Sequence, residues 1–359
     1  MQTNSVRFGI TFLVCTYNGV ARLPNALRYL AAQVIPLGLP WEVVLVSNAS
    51  TDDTLAVALR LWAEVGAPAP LRLFEELKPG KENALTKGFD EAAYEAMCVV
   101  DDDNWLYPDY AGHVARVMQE HPEIGILGGC AEAAFEVEPP AWFSQFQATY
   151  AVGPQAPQPG PMLVPEEYIY GAGSVVRRSA WQHIRANGFE FTTSTRRGEV
   201  VVSGEDIELG NVLRLAGYVL WYDPLLRLRH FMFKERLTWQ ALRRLSEGGS
   251  VSVLTDAVYH LLFRHPDLDL AGFRTHYLRA VLWQARAVLQ QPRQAWNYAW
   301  HHDNPARFDT FGTRWSWGKF RQLLRKRSEM EVAFIRAKAL QSRFRASVAP
   351  IALKSTGVD

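Results

Sequence analysis

Strand and helix patterns alternate over residues 6–130, and this alternation constrains the fold more than any other feature of the chain. Val6–Val14 reads as a strand, and residues 23–33 as a helix with Leu23, Ala26, Leu27 and Leu30 at helical spacing. Strand patterns follow at 43–46, 71–74 and 97–100, helix patterns at 52–65, 82–94 and 110–120, and a further strand begins at Ile124. Such alternation predicts an α/β fold, a mostly parallel sheet sandwiched by helices. In sheets of this kind ligands bind beyond the carboxyl ends of the strands. The polar stretches lie at those ends: Thr16-Tyr17-Asn18, Ser47 to Asp53, and Asp101-Asp102-Asp103.

The acid triplet follows the apolar run Cys98-Val99-Val100 directly. Three adjacent carboxylates repel one another, so chain packing alone does not favour them. A hard divalent cation such as Mg²⁺ or Mn²⁺ relieves the repulsion and leaves positions for phosphate oxygens. If the strand continued, Asp101 and Asp103 would face one side and Asp102 the other. The competing reading is a solvated acidic turn ahead of the helix near Pro108.

Residues 137–167 bring seven prolines among Trp142, Phe143, Phe146 and Tyr150. A loop of this length is either a surface excursion or functional; as the latter, the loop with its aromatics, Trp142 first among them, is a candidate wall for an acceptor pocket, because aromatic faces stack on sugar rings. Residues 168–176 read as a strand in which Gly171 and Gly173 let a ligand or another chain segment come close. Glu205 and Asp206 open a helix after Ser203-Gly204, where the helix dipole favours acids. Residues 218–222 and 226–230 read as two strands joined at Asp223-Pro224.

Charge divides the chain. Residues 1–226 carry 15 Lys and Arg against 27 Asp and Glu, and residues 227–359 carry 23 against 10. From about residue 236 the pattern is helical, with Arg279, Arg286 and Arg293 repeating every seven residues on one face. A basic amphipathic helix can lie at a lipid interface, associate with a second copy, or belong to an ordinary bundle. No nucleic-acid reader motif accompanies the basic residues. Cys15, Cys98 and Cys130 sit in apolar runs and read as core thiols of a reduced compartment. The N-terminal stretch reads as a first strand, not a signal peptide, and no run of 18 apolar residues occurs. The expected location is cytoplasmic, at the inner membrane face if the basic helices engage lipid.

Taken together, Cys15-Thr16-Tyr17-Asn18, Asn48-Ala49-Ser50-Thr51-Asp52, Lys78-Pro79-Gly80-Lys81-Glu82-Asn83-Ala84, Asp101-Asp102-Asp103, Gly204-Glu205-Asp206 and the later His230 resemble the family 2 glycosyltransferases of the GT-A fold. The resemblance covers residues 6–235 and implies a GT-A catalytic domain over 1–235, with 236–359 a basic helical region outside it. It implies that Thr16, Tyr17, Asn18, Asn48, Lys81, Asn83, Asp101 and Asp102 bind the donor nucleotide. It implies further that Asp101 and Asp103 hold the metal, Mn²⁺ or Mg²⁺, with His230 completing its shell, and that Asp206 is the catalytic base with Glu205 beside it. The donor implied is a nucleoside-diphosphate sugar, UDP-linked ahead of GDP- or dTDP-linked, and the acceptor a hydroxyl of a glycan or lipid-linked glycan in surface polysaccharide synthesis. A single displacement aided by Asp206 would invert the anomeric carbon. Ser47 stands where the family usually has an acid that reads the base, which leaves the base identity open. Two other classes compete: a sugar nucleotidyltransferase, which needs a basic glycine-rich loop that residues 15–19 lack, and a non-catalytic binding module, which would have lost one of the acids.

Overall fold

The computed structural model describes residues 8–192, 196–197, 200–201, 204–290, 292, 296, 300 and 309–347, with backbone alone for 196–197, 200–201, 247–255 and 309–315. Val6, Ser203 and Arg293, each part of an expected element, lie outside the described residues.

The first half follows the alternation in the sequence: β1 (Ile10–Thr16), α1 (Leu23–Ala31), β2 (Trp41–Asn48), α2 (Thr54–Glu64), β3 (Leu71–Glu76), α3 (Lys81–Glu91) and β4 (Ala96–Asp101). Next come β5 (Asn104–Leu106), α4 (Tyr110–Glu120), β6 (Ile124–Phe135), α5 (Phe143–Phe146), β7 (Gly160–Pro161) and β8 (Val175–Arg177). They are followed by α6 (Arg178–Ala186), β9 (Arg196–Arg197), β10 (Val200–Val201), α7 (Glu205–Leu215) and β11 (Val219–Met232). The remainder is helical, as α8 (Trp239–Arg264), α9 (Leu270–Leu289), α10 (Asp309–Arg325) and α11 (Arg327–Ala346).

The main sheet runs β3-β2-β1-β4-β8-β6-β11-β5, with β7 on the flank of β11. Strands β3, β2, β1 and β4 are parallel, as are β6 and β11, whereas β8, β5 and β7 pair antiparallel. Period-two alternation sorts β1 between two cores. Ile10, Phe12 and Val14 pack with α1, α2 and α4, whereas Leu13 and Cys15 pack with α3, α6 and α7. Each fully buried side chain of this kind stabilises by roughly 1.5–3 kcal/mol. The second core is continuous with the C-terminal helices: Tyr259, Leu262, Phe273, Phe334 and Leu340 belong to the same apolar cluster as Leu13, Phe89 and Trp181. The basic half thus leans on the sheet through an apolar inner side, and the change near residue 235 is one of element type within a shared core.

Three expectations fail locally. Residues 168–174 are not strand; Gly171 begins a turn and Gly173 adopts φ 67°, which an extended chain does not allow. Residues 218–222 and 226–230 form one strand, because Asp223 and Pro224 are accommodated by a register shift between Tyr222 and Arg227 against β6. The acid triplet is likewise a tight turn: Asp101 ends β4, Asn104 begins β5, and the alternation expected across Asp101–Asp103 does not apply.

Candidate active site

A cleft of about 1380 Å³ opens beyond the carboxyl ends of β1, β2 and β4, where the strand-end loops converge. Glycines at two helix starts bring chemistry to it. Gly80 at φ 129° precedes α3, and Gly204 at φ 145° precedes α7; both are backbone states that side-chain-bearing residues rarely adopt. Lys81 is therefore the first residue of one helix, and Glu205 and Asp206 the first two of another.

Each acid of the triplet meets its own cation. Asp101 Oδ1 lies 2.6 Å from Lys81 Nζ, which is also 3.9 Å from Glu205 Oε1. Asp102 is buried, accepts from Arg22 Nε at 2.8 Å and accepts from Thr16 Oγ1 at 2.5 Å. Asp103 Oδ2 accepts from Arg236 Nη1 at 2.8 Å, and its Oδ1 lies 3.5 Å from His230 Nε2. Three cations therefore answer the repulsion among the acids.

The electrostatics follow from these pairings. Burial raises the carboxyl of Asp102, partly offset by Arg22 and Thr16. For Asp103 burial acts upward, but the charges of His230, Arg236 and Lys81 outweigh it and hold the carboxyl well below the usual range. Burial alone would depress the Lys81 ammonium, yet Asp101 and Glu205 together hold it above its ordinary value. Glu205 is pushed up to about 7 by burial and by Asp206, against the pull of Lys81. Asp206 is raised by burial, with the Gly171 amide and Lys81 acting against that rise.

Arg236 Nη1 sits 3.1 Å from His230 Nε2 while bonded to Asp103, so a cationic nitrogen lies between a carboxylate and an imidazole. The Nδ1 atom of His230 is buried and has no hydrogen-bond partner. A carboxylate and an imidazole nitrogen turned toward one positive centre form a donor set that suits a hard or borderline divalent ion. No group of three or more His, Cys, Asp or Glu side chains among the described residues is gathered closely enough to hold such an ion by itself.

Of the residues expected at a site, Thr16, Tyr17, Asn48, Lys81, Asp101, Asp102, Asp103, Gly171, Glu205, Asp206 and His230 line this cleft. Four others do not. Asn18 fastens neighbouring loops, its Oδ1 accepting from Thr51 N–H at 2.8 Å and its backbone N–H donating to Ser50 Oγ at 3.0 Å. Asn83 donates to the Pro79 carbonyl at 3.0 Å and braces the turn before α3. Trp142 is buried in an aromatic cluster, 5.8 Å from Trp239 and 6.4 Å from Phe146, and supports the wall from behind. Gly173 serves chain packing, since a Cβ there would strike Leu228 and its carbonyl accepts the Tyr110 hydroxyl. Ser47 is buried and donates to Ser50 Oγ at 2.8 Å, away from the cleft surface.

Tyr150, in the loop expected to wall the acceptor pocket, lines the cleft, and so do residues not anticipated: Arg22, Arg236, Tyr168, Tyr170 and Asp256. They come from loops and from α8, where no periodic or motif signal marks them.

Residues 11–185 match the sequence profile of the family described as Glycosyl transferase family 2. The chain carries a family 2 glycosyltransferase domain over these residues, just under half of its length. Among curated proteins, the Poly-beta-1,6-N-acetyl-D-glucosamine synthase of Staphylococcus epidermidis is 25% identical over 123 residues, which is 34% of this chain and 28% of the synthase. The matched stretch thus spans little more than a quarter of that relative. Among solved structures, S. aureus TarS 1-349 superposes with a TM-score of 0.53 at 15% identity, covering 94% of this glycosyltransferase and 92% of TarS. A mannosyltransferase from Pyrobaculum calidifontis, in complex with GDP-Man and Mn2+, gives 0.52 at 20% identity over 89% and 87% of the two chains. These likenesses establish the GT-A glycosyltransferase fold, and they extend over the C-terminal helices as well as the sheet.

Proposed function

We propose that this glycosyltransferase moves a sugar from a nucleoside-diphosphate sugar to a hydroxyl of a glycan or lipid-linked glycan, with inversion, in polysaccharide synthesis. The observation that carries the reading is the convergence of Asp101, Glu205 and Asp206 in one cleft, with Lys81 within 3.9 Å of carboxylates from both β4 and α7. Structures of similar fold were obtained with UDP-GlcNAc and with GDP-Man, which supports a nucleotide-sugar donor.

Thr16, Tyr17 and Asn48 form the end of the cleft suited to the nucleoside, and Lys81, Arg22 and Arg236 provide positive charge toward the diphosphate. Asp101, Asp103 and His230, not gathered closely enough to hold an ion by themselves, would hold Mn²⁺ or Mg²⁺ together with oxygens of the donor diphosphate, and the ion when bound would neutralise charge on that leaving group. Asp206 accepts the proton of the attacking hydroxyl at a carboxylate oxygen. Glu205, held near neutral pKa by burial and by Asp206, keeps charge low beside that base. Tyr168 and Tyr170, 5.5 Å apart and near Asp206, form the wall against which an acceptor sugar ring would stack.

The test is release of nucleoside diphosphate from a panel of UDP-, GDP- and dTDP-sugars with Mn²⁺ or Mg²⁺, alongside thermal shift. At least one donor should raise the melting temperature and yield the diphosphate when an acceptor glycan is supplied. A protein that no sugar nucleotide stabilises would overturn the reading.

A further inference from the structure

The outer side of α9 has no part in the cleft. Its inner side is anchored: Phe273, Tyr277, Gln284 and Val288 are buried, Phe273 stacks on Phe334 at 4.6 Å, and the Tyr277 hydroxyl donates to the Leu323 carbonyl. The orientation of the helix on the protein is therefore fixed. Its outer side carries Leu278, Leu282, Trp283 and Leu289, exposed by 54, 70, 67 and 78%. Arg279 and Arg286 are exposed on that same side. Farther along the chain, Trp296 and Trp300, each 67% exposed, lie 5.7 Å apart.

We propose that this face of α9 lies on an anionic lipid surface. A row of leucines each more than half exposed is unfavourable in water, so a partner that removes it from solvent is expected. Charge selects the partner. The twenty residues of α9 include no Asp or Glu, and Arg274 is tied to Glu331 of α11 at 2.8 Å. Arg279 and Arg286 remain beside the leucines on the outer face. A second copy docked by two-fold symmetry on this same face would bring these arginines against their own equivalents. An anionic bilayer surface receives both groups at once: leucines enter the acyl boundary, arginines meet lipid phosphates, and tryptophans take the interfacial level. No helix among the described residues is long and apolar enough to cross a membrane, so the contact is along the surface.

The experiment sediments the full chain with phosphatidylcholine vesicles and with phosphatidylcholine–phosphatidylglycerol vesicles at low and high salt. Binding should require phosphatidylglycerol and weaken with salt. Replacing charge in Arg279→Gln/Arg286→Gln should reduce it by roughly fivefold per arginine. Leu278→Ser/Leu282→Ser should also weaken binding, and both variants should keep the parent melting temperature, because the side chains point away from the core. Equal binding to neutral and anionic vesicles, or none to either, overturns the proposal. A dimer seen by sedimentation velocity and dissolved by the leucine variant, with no vesicle binding, would assign the face to a second copy instead. None of these readouts depends on turnover, so failure here is distinguishable from failure of the transfer reaction.

Discussion

The backbone amide of Gly171 donates a 2.9 Å hydrogen bond to Oδ2 of Asp206, joining the turn after the proline-rich loop to the start of α7. The other oxygen, Oδ1, accepts from the Ile207 amide at 2.8 Å. Two backbone donors thus fix the carboxylate plane within the cleft, and in the proposed role of base a carboxylate held this way would lose no orientation when the acceptor arrives. Asp206→Asn keeps the shape and removes the proton acceptor. Transfer should fall by about 10²–10⁴-fold, while donor affinity by calorimetry stays unchanged. Loss of donor binding in this variant would remove Asp206 from the role of base.

How much of this arrangement could be read from the chain depends on the kind of signal each residue leaves. The strand ends were legible because hydrophobic alternation located β1, β2 and β4, and Asp101–Asp103 interrupt it abruptly. Glu205 and Asp206 were legible as acids opening a helix after a glycine. The cations opposite them were not, since Arg22 and Arg236 lie in segments without periodicity, where an arginine looks like any surface residue. Trp142 shows the converse limit. An aromatic in a proline-rich loop reads the same whether it faces ligand or packs behind the wall, and burial against Trp239, a residue nearly a hundred positions away, decided it. Asp223-Pro224 gave a strong turn signal, yet the register shift against β6 absorbed it within one strand.

The Asp103–Arg236 pair leads to a second prediction. Asp103 titrates below its ordinary value, so its ion pairs contribute stability above the unfolded carboxylate pKa and lose it as pH falls through the lowered native one. Asp103→Asn should cost on the order of 1 kcal/mol at pH 7, because Arg236 keeps about a third of its side chain in water, which screens the pair. It should also flatten the acid limb of the stability curve. In the same variant, added Mn²⁺ should no longer tighten donor binding by calorimetry. A wild-type donor affinity that is indifferent to divalent ions would refute the assigned metal role.

Glu205 carries the opposite sign. Burial, reinforced by Asp206, raises it to about 7 from an ordinary 4.5, so the native state holds a proton that the unfolded chain has released. Native stability consequently declines as pH rises from about 4.5 to about 7. Glu205→Gln mimics the protonated form and should raise the melting temperature at pH 8 by a few degrees, with little change at pH 4.5. An equal shift at both pH values would show that packing, not ionisation, governs the site.

Tyr168 tests the acceptor end of the cleft. Its ring lies 5.5 Å from that of Tyr170, in a T-shaped arrangement, and both rings line the cleft beside Asp206. Burial raises the Tyr168 hydroxyl well above its ordinary pKa, so the ring is a neutral face at any working pH. A sugar packed on such a face loses about 1–3 kcal/mol of binding when the aromatic is removed, by analogy with base–aromatic stacking. Tyr168→Ala should therefore raise the KM for acceptor by roughly 5- to 150-fold, leaving donor Kd and acceptor-independent donor hydrolysis as in the parent protein. Tyr168→Phe keeps the ring and should restore the parent KM, because stacking uses the face and not the hydroxyl. If Tyr168→Phe were as impaired as Tyr168→Ala, the hydroxyl would be the group that matters and the stacking wall would have to be sought elsewhere in the cleft.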